Sequence, residues 1–349
     1  MLKAKVTSLI LAAAALIAAS LSGPTLAASD PALIEAAKKE GTVTWASGLI
    51  FNQAVRPLAQ AFEKKYGIKV ETTTSGDLLL KLTNEARSGA KPSVDIFDGT
   101  GDTIAALREA DLIIPYVSPE ASKLRPEHRD ADNYWASCCI FYWTMAINTD
   151  LVKPGDEPKS HQDLLDPKWK GKMAWQADRT VAGPSSFVGL ILTSMGEEAG
   201  MAYLQKLAKQ DIARVPGNAR TVLDQVIVGQ YSMAVMALNH HAVISAAQGA
   251  PVKWLKVSPL IGTAETVTIV KNAQHPNAAK LFFDFLLSED GQNVLKEANY
   301  LPSDPNVQAK TPDLKPKEGG FTAMQIMPAM NQTHLPKWLE IYERLFVTK

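Results

Sequence analysis

Cysteine is nearly absent from this sequence. The only two among 349 residues are Cys138 and Cys139, and adjacent cysteines make a strained ring that closes no useful loop when oxidised. The chain also has no CxxC or other zinc-binding spacing. We therefore expect two small buried hydrophobic residues, without a disulfide framework or a structural zinc site.

Motifs of catalysis and nucleotide binding are missing as well. The chain contains no GxSxG, no HExxH and no GxxxxGK[ST] motif, and the short loop at residues 99–101 lacks the third glycine of a dinucleotide fingerprint. These absences indicate a protein that is not an enzyme and that uses no cofactor. The remaining enzymatic alternative is a secreted metal-dependent hydrolase, in which a pair of histidines holds the metal that activates water.

Neither sign of charge dominates. The chain has 36 basic and 36 acidic residues, a balance that gives no support for binding to nucleic acid or to a membrane surface. We expect a monomer whose partners are a small molecule and other proteins.

One long apolar run occurs, at residues 9–21, and it has the form of a secretory signal peptide. Lys3 and Lys5 precede it, and small residues follow up to a cleavage site near Ala27 or Ala28. The run is too short to span a membrane as a helix. The signal predicts a periplasmic protein without a lipid anchor, because no cysteine follows the cleavage region.

Short apolar strands alternate with helical patterns in the first third of the chain. We predict strands at residues 42–46, 68–72 and 94–97, and helices that follow them at 55–66, 78–87 and 103–109. An earlier helix begins at Asp30-Pro31 and ends at Gly41. This alternation predicts an α/β fold with right-handed crossovers and mostly parallel sheets flanked by helices.

The later elements are less regular. A long β-prone stretch at 134–148 is suited to crossing from one lobe to another. Further strands are predicted at 172–176 and 266–270, and further helices at 187–195, 200–209, 221–228, 277–287, 321–330 and 335–346. The expected division is a signal peptide at 1–27, lobe 1 at 28–136 plus 266–349, and lobe 2 at 137–265.

Residues 231–251 predict the junction at which a ligand would bind. Residues 231–238 are almost uniformly apolar, as expected of a strand buried on both faces of a sheet. Asn239 is expected to cap a helix that ends at Gly249, so His240 and His241 lie where the strand's carboxyl end meets the helix's amino end. For the pair in isolation, the simpler interpretation is one buried and one solvated histidine, because neighbours along a helix do not share a face.

Polar residues follow the other predicted strands in the same way. Carboxyl ends of parallel strands line one crevice, and first-turn helical N–H groups attract anions. The candidate ligand-binding residues are Ser47, Gly48, Ser75, Gly76, Thr100, Arg179, Thr180, Ser185, Asn218, Arg220, Asn239, His240 and His241.

The chain resembles the extracellular solute-binding proteins of bacterial ABC importers, in the subgroup with ferric-iron, thiamine and aminoethylphosphonate binders. The resemblance rests on KEGTVTWAS at 39–47, AFEKKYGIKV at 61–70, residues 95–111, residues 148–175 with DLLDPKWKGKMAW at their end, and HPNAAKLFFDFLLSEDGQNVLKEANYLP at 275–302. It implies a periplasmic binding protein type II fold, with two lobes joined by crossing hinge strands and one solute in the cleft. Lobe closure would then present the protein to an inner-membrane ABC permease.

The resemblance also bears on whether this chain binds iron. Ferric-binding members have two consecutive tyrosines where His240 and His241 stand here, and imidazole is a softer ligand than phenolate. We therefore predict a small anionic solute that carries a phosphonate, phosphate or carboxylate group, with affinity that rises as pH falls through about 6.5 if the imidazoles contact it. The alternative is a metal-binding importer component that uses His240, His241 and Asp98.

Overall fold

The computed structural model describes residues 30–74, 77–177, 183–326 and 328–348, with side chains from residue 333 onward in the last range. The predicted signal peptide lies outside these residues. None of the helices within them combines the length and the apolar character needed to cross a membrane.

The strands follow the sequence pattern closely in the first third and depart from it later. They are β1 Thr42–Ser47, β2 Lys69–Thr74, β3 Ile96–Thr100, β4 Ile113–Ile114, β5 Ala136–Asn148, β6 Met173–Gln176, β7 Ala213–Val215, β8 Met233–Leu238, β9 Val252–Trp254, β10 Leu260–Val270, β11 Leu301–Pro302 and β12 Ala323–Gln325. The predicted strand at 266–270 is the second half of β10. The helix predicted at 321–330 is wrong at β12, which pairs in parallel with β10.

The helices begin and end at the residues that favour such boundaries. They are α1 Pro31–Glu40, α2 Arg56–Tyr66, α3 Leu78–Ser88, α4 Gly101–Glu109, α5 Pro184–Met195, α6 Glu197–Leu207, α7 Ala219–Ile227, α8 Asn239–Ala247, α9 Pro276–Leu287, α10 Glu289–Glu297, α11 Pro316–Gly319 and α12 Pro328–Tyr342. At the start of α1, the Asp30 carboxylate accepts a hydrogen bond from the Ala32 N–H at 2.9 Å. At its end, Gly41 adopts a left-handed φ of 75°, which glycine reaches without steric cost.

One continuous sheet carries both halves of the molecule. Its order is β2-β1-β3-β10-β5-β8-β6-β7, with the four short strands attached to β5 and β10. The outer strands are parallel to their neighbours in each half. The two long central strands, β5 and β10, run antiparallel to each other and to the halves they join. This topology confirms the α/β fold with crossing hinge strands.

Helices cover both faces of the first half of the sheet. Trp45 of β1 meets Phe282 of α9 with ring centroids 5.0 Å apart, and Phe62 of α2 meets the same ring at 4.9 Å. On the opposite face, Ala46 and Phe97 join a separate cluster with side chains of α3 and α4. Neighbouring residues of β1 thus serve two cores, as the two-residue period of a strand requires.

The strand register brings together the carboxyl ends of strands from the two halves of the sheet. Thr100, at the end of β3, pairs with Glu265 of β10, which in turn pairs with Cys139 of β5. Leu238, at the end of β8, pairs with Trp143 of β5. Since β3 and β8 approach from opposite directions, their carboxyl ends face each other across residues 139–143 of β5.

The C-terminal helix α12 packs on α5. A Cβ atom on Gly189 of α5 would lie 2.6 Å from the Trp338 ring, and Trp175 of β6 contacts Phe346 at 4.8 Å between centroids. Residues 338 and 346 belong to the predicted lobe 1, yet their packing partners lie in the predicted lobe 2. The lobe boundaries themselves remain predictions.

Candidate functional site

Asp98 organises the loop that follows β1. Its Oδ1 accepts the Trp45 indole N–H at 2.5 Å, and its Oδ2 accepts the Gly48 backbone N–H at 3.1 Å. The side chain is fully buried. Two charge-assisted hydrogen bonds hold the predicted site residues Ser47 and Gly48 at the edge of β1.

A second carboxyl group, that of Glu265, lies within hydrogen-bonding reach of Asp98. Burial raises the pKa of both groups, and the neighbouring Asp98 charge pushes the pKa of Glu265 well above its usual range. Because Asp98 already accepts two N–H groups, we assign the proton to Glu265. Asp98 is thus an ionised acceptor on β3, held by a protonated donor on hinge strand β10.

His240 and His241 occupy the first turn of α8, where the sequence predicted them. Both are buried, with exposures of 0% and 7%, and their ring centroids lie 4.5 Å apart. The interpretation of one buried and one solvated histidine is wrong, because the His240 ring packs against Phe141 and Tyr300 and the His241 ring packs against His240.

Three of the four ring nitrogens of the pair lack protein partners among the described residues. Within the described residues, both nitrogens of His240 and the Nδ1 of His241 are buried without a hydrogen bond. The His240 ring instead stacks on Phe141 of β5 at 5.2 Å. Buried polar atoms are rarely left unsatisfied, so these nitrogens are candidates for a hydrogen bond to a bound group.

Tyr300 connects the two halves of the site. Its hydroxyl accepts the Ile50 N–H at 3.0 Å, beyond the β1 loop, and its ring lies 4.5 Å from that of His240. Burial raises the pKa of Tyr300 well above its usual range, so its hydroxyl is protonated. The β1 loop and the α8 turn therefore meet through this one side chain.

Burial keeps both histidines neutral. Desolvation, with the His241 ring as a lesser cause, lowers the pKa of His240 well below its ordinary value. Desolvation and the Arg220 charge lower the pKa of His241 to about 3. The expected titration of these imidazoles near pH 6.5 is therefore wrong for this structure.

Other sequence candidates lie around this centre in less direct roles. The Thr100 hydroxyl donates to Asp102, and Ser185 is fully buried in the first turn of α5. Asn218 is exposed and caps α7 through the Arg220 and Thr221 N–H groups. Arg220 pairs with Asp224 at 2.7 Å and donates to Ser245 of α8 at 2.9 Å.

Asn239 does not have the capping role expected from the sequence. The residue at the N-cap of α8 is Leu238, and no side chain caps this helix. The Asn239 amide donates instead to the Leu314 carbonyl at 3.0 Å. That bond fastens the segment after β11 to α8, while the Asn239 Oδ1 accepts the His240 N–H of the first turn at 2.8 Å.

Four candidates, Ser75, Gly76, Arg179 and Thr180, lie outside the described residues. The alternative metal set of His240, His241 and Asp98 is not assembled, because no group of three or more His, Cys, Asp or Glu side chains within the described residues is arranged to hold a metal ion. Cys138 and Cys139 are both buried and free, as expected.

Sequence reasoning missed Phe141, Glu265 and Tyr300. Phe141 lies in the predicted β-prone stretch, Glu265 immediately precedes the strand predicted at 266–270, and Tyr300 follows the last helix of the family-like stretch. Tyr300 falls inside the family-like stretch at 275–302, and a buried tyrosine needs a polar partner for its hydroxyl. That requirement was the one available signal for it.

The comparisons with known proteins agree with this architecture. Residues 57–322 match the family described as bacterial extracellular solute-binding protein. A Fe(3+)-binding periplasmic protein of Serratia marcescens is 24% identical over 254 residues, which are 70% of this chain and 73% of that protein. A putative 2-aminoethylphosphonate-binding periplasmic protein of Salmonella paratyphi A is 25% identical over 274 residues, 73% of this chain and 77% of that protein.

A solved structure shares the fold. The periplasmic binding protein AfuA of Actinobacillus pleuropneumoniae, with exogenous fructose-6-phosphate bound, superposes with a TM-score of 0.74 at 21% identity, over 88% of this chain and 99% of that one. The family match extends over most of both halves of the sheet, including β5 and β10. The chain belongs to the family of bacterial extracellular solute-binding proteins.

Proposed function

We propose that this protein captures a small anionic solute in the periplasm and delivers it to an ABC permease in the inner membrane. The solute carries a phosphonate, phosphate-ester or carboxylate group. It is held by hydrogen bonds between the two halves of the sheet and undergoes no chemical change.

The observation that carries this proposal is the set of three unpartnered ring nitrogens, both nitrogens of His240 and the Nδ1 of His241. They lie where the ends of β3 and β8 face each other, which is the position of ligands in open α/β sheets. A neutral imidazole offers one N–H donor and one acceptor. A solute oxygen in contact with that donor would satisfy a group that the protein leaves without a bond.

Three helix starts favour an anion. Helices α4, α5 and α8 all begin without a side-chain N-cap, and the dipole of each helix favours negative charge at its first turn. In two of them one first-turn N–H is already bonded, His240 to the Asn239 Oδ1 and Ser186 to the Gly183 carbonyl. Arg220 adds a positive charge near His241. The names of two relatives, which mention a phosphonate and a sugar phosphate, are consistent with this class of solute.

Ferric iron is the competing solute, since a relative is named for binding it. The described residues lack a cluster of three or more His, Cys, Asp or Glu groups for a metal. In addition, the consecutive tyrosines of ferric binders are absent at residues 240 and 241. We therefore rank an anion above iron.

Thermal-shift measurements on ligand-stripped protein test the proposal. 2-Aminoethylphosphonate, fructose 6-phosphate, citrate and ferric ion are each added, and positive results are quantified by isothermal titration. We expect one or more of the anions to raise the melting temperature with 1:1 stoichiometry. A shift that occurs only with ferric ion and disappears with a chelator contradicts the proposal.

His240→Phe tests the donor directly, because it keeps a ring that can stack on Phe141 and removes both nitrogens. Loss of a hydrogen bond to a charged group predicts roughly tenfold or greater weakening. His334→Phe is the matched control, since His334 is exposed on α12. Equal affinity in both variants would remove His240 from the binding site.

A further inference from the structure

A cavity of about 600 Å³ lies on the face of β5 that points away from His240. Ile140 and Tyr142 line it, whereas the intervening Phe141 stacks on the His240 ring. Successive side chains of a strand point to opposite faces. The cavity is therefore separate from the site between β3 and β8, and its volume lies within the usual range of small-molecule sites.

Positive charge predominates in the cavity wall. Arg125, Lys315 and Lys317 line it, and Glu318 is the one acidic residue of the wall. Among the described residues, the side chains of these three cations form no ion pair or hydrogen bond. By contrast, other lysines such as Lys253 and Lys337 pair with glutamates at 2.8 and 2.6 Å.

The charges are close enough to affect one another. Lys315 is half-buried, and its pKa is lowered by burial and by the Arg125 charge, against an opposing effect of Glu318. Burial lowers the pKa of His128, with the Arg125 charge as a lesser cause, and the His128 Nδ1 has no partner among the described residues. Arg125 and Lys315 repel each other, and Glu318 is the one carboxylate of the wall that offsets this repulsion. A bound anion between the two cations would offset it further.

We propose that this cavity binds a small polyanion, such as a polyphosphate or a di- or tricarboxylate, at a second site independent of the solute cleft. Arg125 and Lys315 each contact one anionic group of the ligand. Tyr142 and Gln325 line the same cavity from β5 and β12, and β12 pairs with β10. The ligand would thus contact β5 directly and β12, which is the neighbour of β10. Strands β5 and β10 join the halves of the molecule.

Titration with inorganic pyrophosphate and, separately, with citrate tests this site. The double variant Arg125→Gln/Lys315→Gln should bind the probe at least about tenfold more weakly than the wild type, and added salt should weaken wild-type binding. The control Lys39→Gln removes one exposed charge from α1 and should bind as the wild type does. A double variant that binds both probes as tightly as the wild type overturns the proposal, because binding then occurs elsewhere, including in the cleft.

A second measurement needs no variant. Acetylation of lysines by acetic anhydride is followed by peptide mass spectrometry with and without pyrophosphate or citrate. We expect one of these probes to protect Lys315 several-fold relative to Lys39. Equal modification of Lys315 with and without either probe contradicts the site, whatever the outcome of solute binding in the cleft.

Discussion

At the residue scale, the Asp98–Glu265 pair sets the geometry of the site. One carboxylate on β3 accepts N–H groups from Trp45 and Gly48, and a protonated carboxyl on β10 completes its coordination. Strand β3 belongs to one lobe, and β10 is a hinge strand. This contact therefore fixes the β1 loop relative to β10.

Substitution of the two carboxyls should have unequal effects on stability. Glu265→Gln retains a donor toward Asp98, and we expect the free energy of unfolding at pH 7 to change by less than about 1 kcal/mol. Asp98→Asn replaces an acceptor oxygen with a donor amide against buried N–H groups and should cost about 2–3 kcal/mol. Urea denaturation measures both, and equal losses would contradict the assigned proton.

Because the buried histidines are neutral, the free energy of unfolding depends on pH. The folded pKa of His241 is about 3, below the unfolded value of about 6.5. The unfolded chain therefore takes up a proton that the folded chain refuses, and stability falls as pH decreases from about 6.5 toward 3.

His241→Gln isolates this contribution. Between pH 7 and pH 5, the wild type should lose about 2 kcal/mol more than the variant, as measured by chemical denaturation at each pH. The raised pKa of Glu265 acts in the opposite direction, but it is common to both proteins and cancels in the comparison. Parallel stability curves for the two proteins would mean that His241 titrates normally in the folded state.

At the element scale, the docking of α12 on α5 depends on one glycine. Gly189→Ala places a Cβ atom 2.6 Å from the Trp338 ring, and such overpacking typically costs about 1–3 kcal/mol. Ser194→Ala, at an exposed position of the same helix, should change stability by no more than about 0.5 kcal/mol. Thermal unfolding compares the two, and an unchanged Gly189→Ala variant would show that α12 is not held there.

Elements with strong local signals were predictable from the sequence, and those that depend on distant partners were not. The caps at Asp30 and Gly41 and the apolar periodicity of α2 defined their helices to within one or two residues. The strand β12 exists because Ala323–Gln325 pairs with β10, and no local pattern indicates that pairing. Similarly, asparagine is a common capping residue, but the Asn239 amide donates its hydrogen bond to the Leu314 carbonyl, 75 residues away.

At the scale of the whole molecule, the site is a consequence of topology. The junction of β8 and α8 was predictable because a buried apolar run changes to a helix at Asn239. The approach of that junction to the β1 loop was not, because it depends on the register of β5 and on Tyr300, which contacts both sides. The family resemblance implied two lobes, and the continuous sheet with antiparallel β5 and β10 provides their connection.

The affinity for the solute should depend only weakly on pH. Because the histidines stay neutral, we expect the affinity for a phosphodiester, whose charge is constant over this range, to change less than about threefold between pH 8 and pH 5. Isothermal titration at several pH values measures this. A strong rise in affinity through pH 6.5 would instead show that an imidazole gains a proton when the solute binds.

Hydrogen–deuterium exchange with and without the bound anion tests the central claim most directly. The account predicts slower exchange at the first-turn amides of α4, α5 and α8, which belong to both halves of the sheet, and little change in α1 or α6. Protection limited to one half, or located away from these helix starts, would contradict a solute held between the ends of β3 and β8.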